Sequence, residues 1–307
     1  MVNVSEYVTP AVNMYLYPQA LWNPQRDLKK SLDEYATIYF GDAELAGYFR
    51  ELTRGLQDVL KICKYEQAGK AGSCWYCPRV KLETVEAVAY HVEGLGQGLR
   101  GPLTRAASIL ETAIRNAKSE QYRARLERER VSLGYTLLQA RLFYHLLKTE
   151  WFYRIYESHH DAEAGLGAAS ESVLARYTYD NLRKFVGRSG IRGELSMPDP
   201  VYHLRDRVRE LHREGYSSHQ MTTSLRNGVN GYLVDSPFGS RAVVWADFVG
   251  SAPAMQAGVA GLEWRDEFGQ PFGANALNLS TSPAVIEGRG LSTIKLFDAV
   301  MASLAVK

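Results

Sequence analysis

The feature that most constrains this chain is a change of periodicity near residue 225. Before it, apolar residues recur at the three- and four-residue spacing of amphipathic helices in several separate runs. After it, short extended runs are punctuated by Gly and Pro, which is typical of strands and tight turns. The pattern predicts an α+β fold in which a long multi-helix region is followed by a small antiparallel β-sandwich-like domain.

One predicted helix is longer than the others and runs from Glu120 to about Tyr156. At 1.5 Å per residue it would span roughly 55 Å, so it must pack along other helices. The alternating charges from Arg123 to Arg130 predict a face in contact with water, and the aromatic second half predicts burial. The Gly, Ala and Ser run from Ala162 to Ser170 predicts a loop, and Gly94, Gly96 and Gly98 predict the end of an earlier helix.

The C-terminal third contains five short runs that predict strands. They are Tyr232–Val234, Arg241–Ala246, Gly261–Arg265, Leu277–Leu279 and Ala284–Ile286. So few strands form a small sheet that should lean on the helices. The tail from Leu291 to Val306 places five apolar residues on one helical face and should dock: Ile294, Phe297, Val300, Met301 and Leu304.

The N-terminal part contains a helix, a stop and a second helix. Pro24 lacks an amide hydrogen and disfavours the helical conformation of Asn23, so a helix that passes through Tyr15 should end near Trp22. Asp27 can then cap the next helix, and Gly41 can end it with a positive φ.

These residues resemble a known family. In alpha-glucuronidase-like and related glycoside hydrolases, the last helix of a (β/α)₈ barrel runs into a similar Trp-Asn-Pro junction. The matching positions are Tyr15, Leu16, Leu21, Trp22, Asn23, Pro24, Asp27, Leu32, Asp33, Glu34, Tyr35, Tyr39, Phe40 and Gly41. The alternative is that Trp-Asn-Pro simply ends a helix between two ordinary core helices.

A second stretch resembles the terminal β-sandwich of multidomain glycoside hydrolases. The matching positions are Trp264, Asp266, Gly269, Leu277, Leu279, Ser280, Pro283, Ala284, Val285, Ile286 and Gly288. Ala284 and Val285 depart mildly from that pattern.

Together the two resemblances imply four segments. Residues 1–60 would be barrel-terminal-like helices with the junction, 61–224 a helical region, 225–290 a small β domain, and 291–307 a docking helix or tail. The chain would then be the C-terminal helical and β accessory portion of a carbohydrate-active protein, supporting a catalytic barrel absent from this chain. The alternative is a free-standing helical scaffold, or a carbohydrate-binding or interaction protein, without catalysis.

The resemblance implies no catalytic residue here, because the paired carboxylates of such enzymes lie on earlier barrel strands. Glu6 and Tyr7 precede the barrel-like helix, where a strand-to-helix loop would meet a sugar. Trp75 and Tyr76 lie in a predicted loop and could stack on a pyranose face. These four are the candidate substrate-binding residues. The remaining tryptophans fall in periodic patterns that predict burial: Trp22, Trp151, Trp245 and Trp264.

Metal and redox sites are the other candidates. Cys63, Cys74 and Cys77 could hold zinc with His91, but the second paired knuckle of structural zinc sites is missing. A redox role for the last two cysteines would need a preceding strand, which the pattern does not indicate. The favoured interpretation is free thiols in a loop, with no metal and no cofactor. His159, His160 and Asp161 would need further ligands, and His91 and His145 fit as packing residues.

Composition limits the partners. Lys and Arg number 36 against 34 Asp and Glu. Because the charges nearly balance, the sequence does not predict nucleic-acid binding. No apolar run reaches the length of a membrane helix, and the N-terminus lacks a signal-peptide pattern. We therefore expect no membrane partner. Localisation is cytoplasmic as written, or extracellular or periplasmic if the chain is truncated. The expected partners are a carbohydrate or an upstream catalytic barrel, and an oligomer is possible.

Overall fold

A computed structural model of the chain describes residues 11–62, 84–189, 204–221, 229–246, 254–255, 262–271, 277–278, 283–288 and 291–304. The helices in these ranges are α1 Ala11–Trp22, α2 Leu28–Phe40, α3 Ala46–Ile62, α4 Val85–Gly98, α5 Thr104–Arg115, α6 Glu120–His159, α7 Ala162–Ser189, α8 Arg205–Arg213 and α9 Thr293–Leu304. The long predicted helix is therefore confirmed as α6.

The strands are β1 Ser217–Gln220, β2 Val229–Ser236, β3 Gly239–Ala246, β4 Ala254–Met255, β5 Leu262–Asp266, β6 Leu277–Asn278 and β7 Ala284–Gly288. Five of them form an antiparallel sheet in the order β1-β2-β3-β7-β5, and β4 pairs with β6. All five predicted strands are present, and β1 and β4 were not predicted. The α+β prediction is confirmed.

The chain divides into two compact units. Unit 1 comprises Met1–Glu83, Tyr90–Tyr144 and Thr178–Pro200, and unit 2 comprises Thr84–Ala89, His145–Tyr177 and Val201–Lys307. The division falls inside α4, α6 and α7, so each of these three helices contributes residues to both units. The four segments proposed from the sequence stay a prediction.

Unit 1 is a helical bundle with an aromatic core. The ring of Tyr35 on α2 contacts Phe40 and Phe49, and all three side chains are buried. The predicted helix ends are confirmed, because α1 stops at Trp22 and Gly41 ends α2 with φ 72°.

One expectation for unit 1 is confirmed and one is wrong. The helix α4 ends at Gly98, the last of the three predicted glycines, where a π-helical turn leads into α5. A Cβ at Gly98 would lie 2.6 Å from the carbonyl oxygen of Gly55 on α3, so this glycine permits a close approach between helices. The charged run from Arg123 to Arg130 does not face water throughout, because Glu129 is buried.

In unit 2 the five-stranded sheet is covered by helices on both faces. Side chains alternate along β3, as the period of a strand requires. Ala242 and Val244 pack with Leu296 and Val300 of α9. The intervening residues of β3 join a second cluster, which contains Tyr153 of α6, Leu166, Val173 and Leu174 of α7, and Leu211 of α8. The sheet therefore leans on helices, as expected from its size.

The predicted loop at Ala162–Ser170 is wrong, because α7 begins at Ala162. Its glycines serve close packing instead. A Cβ at Gly165 would overlap the ring of Tyr216, and a Cβ at Gly167 would lie 2.9 Å from the ring of Phe152. The C-terminal helix docks as predicted, but Ile294 is exposed, because Leu296 and Val300 form the buried face.

Candidate functional site

The four candidate substrate-binding residues, Glu6, Tyr7, Trp75 and Tyr76, lie outside the described residues. The three cysteines of the zinc and redox hypotheses, Cys63, Cys74 and Cys77, lie outside them as well. These assignments stay predictions.

The residues His159, His160 and Asp161 connect α6 to α7. His159 ends α6, and His160 has a φ of 50°. Asp161 caps α7, since its Oδ1 accepts the N–H groups of Glu163 at 2.9 Å and Ala164 at 3.1 Å. Among the described residues, no group of three or more His, Cys, Asp or Glu side chains is placed to hold a metal ion.

An apolar surface lies in unit 1 at the corner between α1 and α2. Trp22 is 93% exposed, Leu21 is 65% exposed and Leu28 is 59% exposed. We call these three residues the apolar corner. The prediction that Trp22 is buried is wrong. Pro24 prevents Asn23 from continuing α1, so Trp22 is the last residue of this helix. It lies beyond the residues of α1 that contribute to the core. Trp245 and Trp264 are buried as predicted, and Trp151 is half-buried.

Polar contacts hold the backbone of the corner. The Oδ1 of Asn23 accepts the N–H of Gln25 at 3.1 Å. The Oδ1 of Asp27 accepts the N–H groups of Lys29 at 2.8 Å and Lys30 at 3.3 Å, which confirms Asp27 as the N-cap of α2. The turn that carries the apolar corner is therefore stabilised by side-chain hydrogen bonds to its backbone.

The other notable group of side chains is a buried ionic cluster in unit 2. His145 on α6 is fully buried, and both of its ring nitrogens face carboxylates. Its Nδ1 lies 2.8 Å from Oε2 of Glu171 on α7, and its Nε2 lies 3.2 Å from Oε2 of Glu267. Lys148 on α6 contacts Glu171 Oε1 at 2.6 Å. We call these four residues the ionic cluster.

The charges of the ionic cluster balance when the imidazole is protonated. Burial lowers the pKa of His145, but hydrogen bonds and negative charge from Glu171 and Glu267 outweigh it, and the pKa is raised overall. Burial raises the pKa of Glu171, but Lys148 and His145 outweigh it, and that pKa is lowered overall. Within the cluster, two cations thus lie in contact with two carboxylates, and their opposite charges offset part of the cost of burial.

A tight turn presents Glu267 to the cluster. The Oδ1 of Asp266, at the end of β5, accepts the N–H groups of Phe268 at 2.9 Å and Gln270 at 2.7 Å. Gly269 closes the turn with φ 81°. Asp266 and Gly269 are two of the residues that carry the second resemblance, and here they form the turn that orients Glu267.

Sequence patterns did not bring these four residues together. His145 was expected to be a packing residue in an apolar stripe. In the structure it is buried between two carboxylates. Glu171 follows the small-residue run that predicted a loop, and Glu267 is 122 residues from His145. The one available signal was an ionisable residue at a position where helical periodicity predicts burial.

Comparison of the chain with protein-family models, with curated proteins and with solved structures finds no match. Within the part of the chain that the structure describes, no helix combines the length and the apolar character needed to cross a bilayer.

Proposed function

We propose that this chain is the C-terminal helical and β accessory portion of a carbohydrate-active, glycoside hydrolase-like protein, and that it supports a catalytic barrel. The observation that carries the proposal is the exposure of Trp22, at 93%, within the apolar corner. In the family that the sequence resembles, this junction directly follows the last barrel helix, so an exposed apolar surface here is what a barrel-supporting module requires.

The physical chemistry of the corner favours protein contact. Burying a large apolar side chain contributes about 1.5 to 3 kcal/mol, and Trp is enriched among the residues that dominate binding energy. The capped turn fixes the backbone that carries the three side chains, so little backbone entropy is lost on association. Lys29 and Lys30 are exposed beside Leu28 and supply a polar edge.

The two carboxylates that meet at His145 are not placed for glycoside hydrolysis. Glycoside hydrolysis requires two carboxyl groups that face a sugar from opposite sides. Glu171 and Glu267, which the structure brings together, are 5% and 1% exposed and both engage His145. Neither is accessible to a polysaccharide.

Complementation tests the proposal. An alpha-glucuronidase-like (β/α)₈ barrel, truncated before its own Trp-Asn-Pro junction, is mixed with this chain, and association and aryl-glycoside hydrolysis are measured. We expect the chain alone to be inactive and the mixture to associate and recover turnover. Trp22→Lys should abolish both effects. Phe238→Lys, which changes an exposed aromatic residue of unit 2, is the matched control and should behave as wild type.

Two results would contradict the proposal. Turnover by this chain alone would show that it carries its own catalytic groups. Failure to bind the barrel, together with a concentration-dependent dimer that Trp22→Lys abolishes, would support the free-standing interaction protein instead.

A further inference from the structure

The environment of His145 requires a proton in the ionic cluster. A neutral imidazole has one N–H donor and one acceptor nitrogen, whereas carboxylates accept hydrogen bonds. Since both ring nitrogens of His145 face carboxylate oxygens, one proton must lie between Nε2 and Glu267 in addition to the proton on Nδ1. Without that proton, two lone pairs would face each other at 3.2 Å in a fully buried site.

The cluster joins three elements of unit 2. Glu171 faces His145 from α7, Glu267 faces it from the turn after β5, and Lys148 lies one turn further along α6. Lys148 Nζ also donates to the backbone carbonyl of Glu267 at 3.2 Å. The helix α6 therefore binds Glu267 through both its side chain and its backbone.

The segment held in this way is at an edge of the sheet. In the strand order β1-β2-β3-β7-β5, the edge strand β5 pairs with β7 on one side. Its turn, Asp266 to Gly269, carries Glu267 into the cluster. Edge strands have fewer backbone partners than central strands, so this turn depends more on side-chain attachment.

We propose that the ionic cluster is a proton-dependent contact between the β5 turn and the helices α6 and α7. The contact holds the turn while His145 and Glu267 share a proton. When that proton is lost, the turn is released. This inference is independent of the proposed barrel-supporting role.

The direction of the pH effect follows from linkage. The pKa of His145 is raised in the folded protein, because its carboxylate partners outweigh the effect of burial. The stabilisation that the protonated cluster gives the folded protein is therefore complete below the ordinary histidine pKa of about 6.5. It is lost as the pH rises through the raised pKa of His145. Release is expected on the alkaline side.

Hydrogen exchange of β5, the strand that ends in this turn, tests the proposal in the full chain. Amide protection along β5, where it pairs with β7, is measured against pH and corrected for intrinsic exchange rates. We expect protection to fall by about tenfold or more as the pH rises through the raised pKa of His145, while the β2–β3 pairing stays protected. Unchanged protection of β5 at a pH where nitrogen NMR shows a neutral His145 would overturn the proposal.

Glu267→Gln is the informative variant. A glutamine amide can accept an N–H from a protonated imidazole or donate one to a neutral imidazole, so the contact should survive proton loss and the pH dependence should flatten. Glu263→Gln changes a carboxylate on the same strand, paired with Arg265 at 3.2 Å, and should leave the wild-type pH dependence intact. A Glu267→Gln protein with the wild-type profile would contradict the proposal.

A measurement on the unmodified protein covers the case in which Glu267→Gln does not fold. Nitrogen NMR of His145 reports the protonation of both ring nitrogens directly. We expect both to carry protons at about pH 6 and a transition above the ordinary histidine value. A neutral imidazole at that pH, with Glu267 ionised, would overturn the proposal.

Discussion

Glu129 on α6 and Tyr48 on α3 form a hydrogen bond inside the core of unit 1. Tyr48 is fully buried and Glu129 is 7% exposed. Burial raises the pKa of Glu129 to about 7, although the hydrogen bond from Tyr48 lowers it in part. The carboxyl group therefore loses its proton near neutral pH. It lies in a segment whose alternating charges predicted contact with water.

The ionisation of Glu129 should make unit 1 less stable as the pH rises. The folded pKa of about 7 exceeds the unfolded value of 4.5, so the folded state keeps a proton that the unfolded state has released. Glu129→Gln removes this linkage, and between about pH 5 and about pH 8 it should gain roughly 2 to 3 kcal/mol relative to wild type. Urea unfolding at both pH values measures the difference.

The control for this prediction is Glu127→Gln, which changes a carboxylate on the same helix that pairs with Arg130 near the surface. It should retain the wild-type pH dependence. If Glu129→Gln also retained it, the buried carboxyl group would not be the origin of the effect.

The close packing on α7 predicts that alanine is not tolerated at Gly165. The added Cβ would overlap the Tyr216 ring, so Gly165→Ala should cost about 1 to 3 kcal/mol of unfolding free energy. Gly187→Ala in the same helix has no atom within 4 Å of the added Cβ and should be stabilising by about 0.5 to 1 kcal/mol. Thermal and denaturant unfolding compare the two. Equal effects would mean that helix propensity alone governs these sites.

Removing the N-cap of α2 should loosen the apolar corner. Asp27→Ala loses the acceptor for the N–H groups of Lys29 and Lys30 and should cost about 1 kcal/mol. Gln25→Ala changes an exposed neighbouring side chain and should be nearly neutral. Denaturant unfolding measures both, and a neutral Asp27→Ala would show that the cap does not stabilise the corner.

A small polar network attaches α9 to the sheet. The Oδ1 of Asp235 accepts hydrogen bonds at 2.7 Å from both Ser240 and Thr293. Thr293→Val keeps the shape of the side chain but removes the donor, and we expect a loss of roughly 1 to 3 kcal/mol and faster proteolysis of the C-terminus. Lys295→Ala, which changes an exposed side chain of the same helix, should change neither. Unaltered proteolysis of Thr293→Val would contradict the role of the network.

Local patterns predicted those elements whose cause is local. The helix α2 begins after Asp27, because the side chain of Asp27 accepts hydrogen bonds from the first N–H groups of the helix. It ends at Gly41, because glycine can adopt a positive φ. The strands β2 and β3 follow from period-two alternation between turn residues. The run from Ala162 to Ser170 was predicted wrongly because small residues signal both flexible loops and closely packed helices, and only Tyr216 and Phe152 distinguish the two.

By itself, the sequence determined the change from helices to strands near residue 225 and the ends of α1 and α2, because these depend on residues that are neighbours in the chain, and it determined the near balance of charge through composition. Tertiary structure decided the rest. It buried Glu129 against Tyr48, exposed Trp22, and brought His145 to Glu267 across 122 residues. Periodicity indicates which face of a helix is apolar, but it does not indicate which distant carboxylate will meet a buried histidine, since that pairing depends on packing between elements.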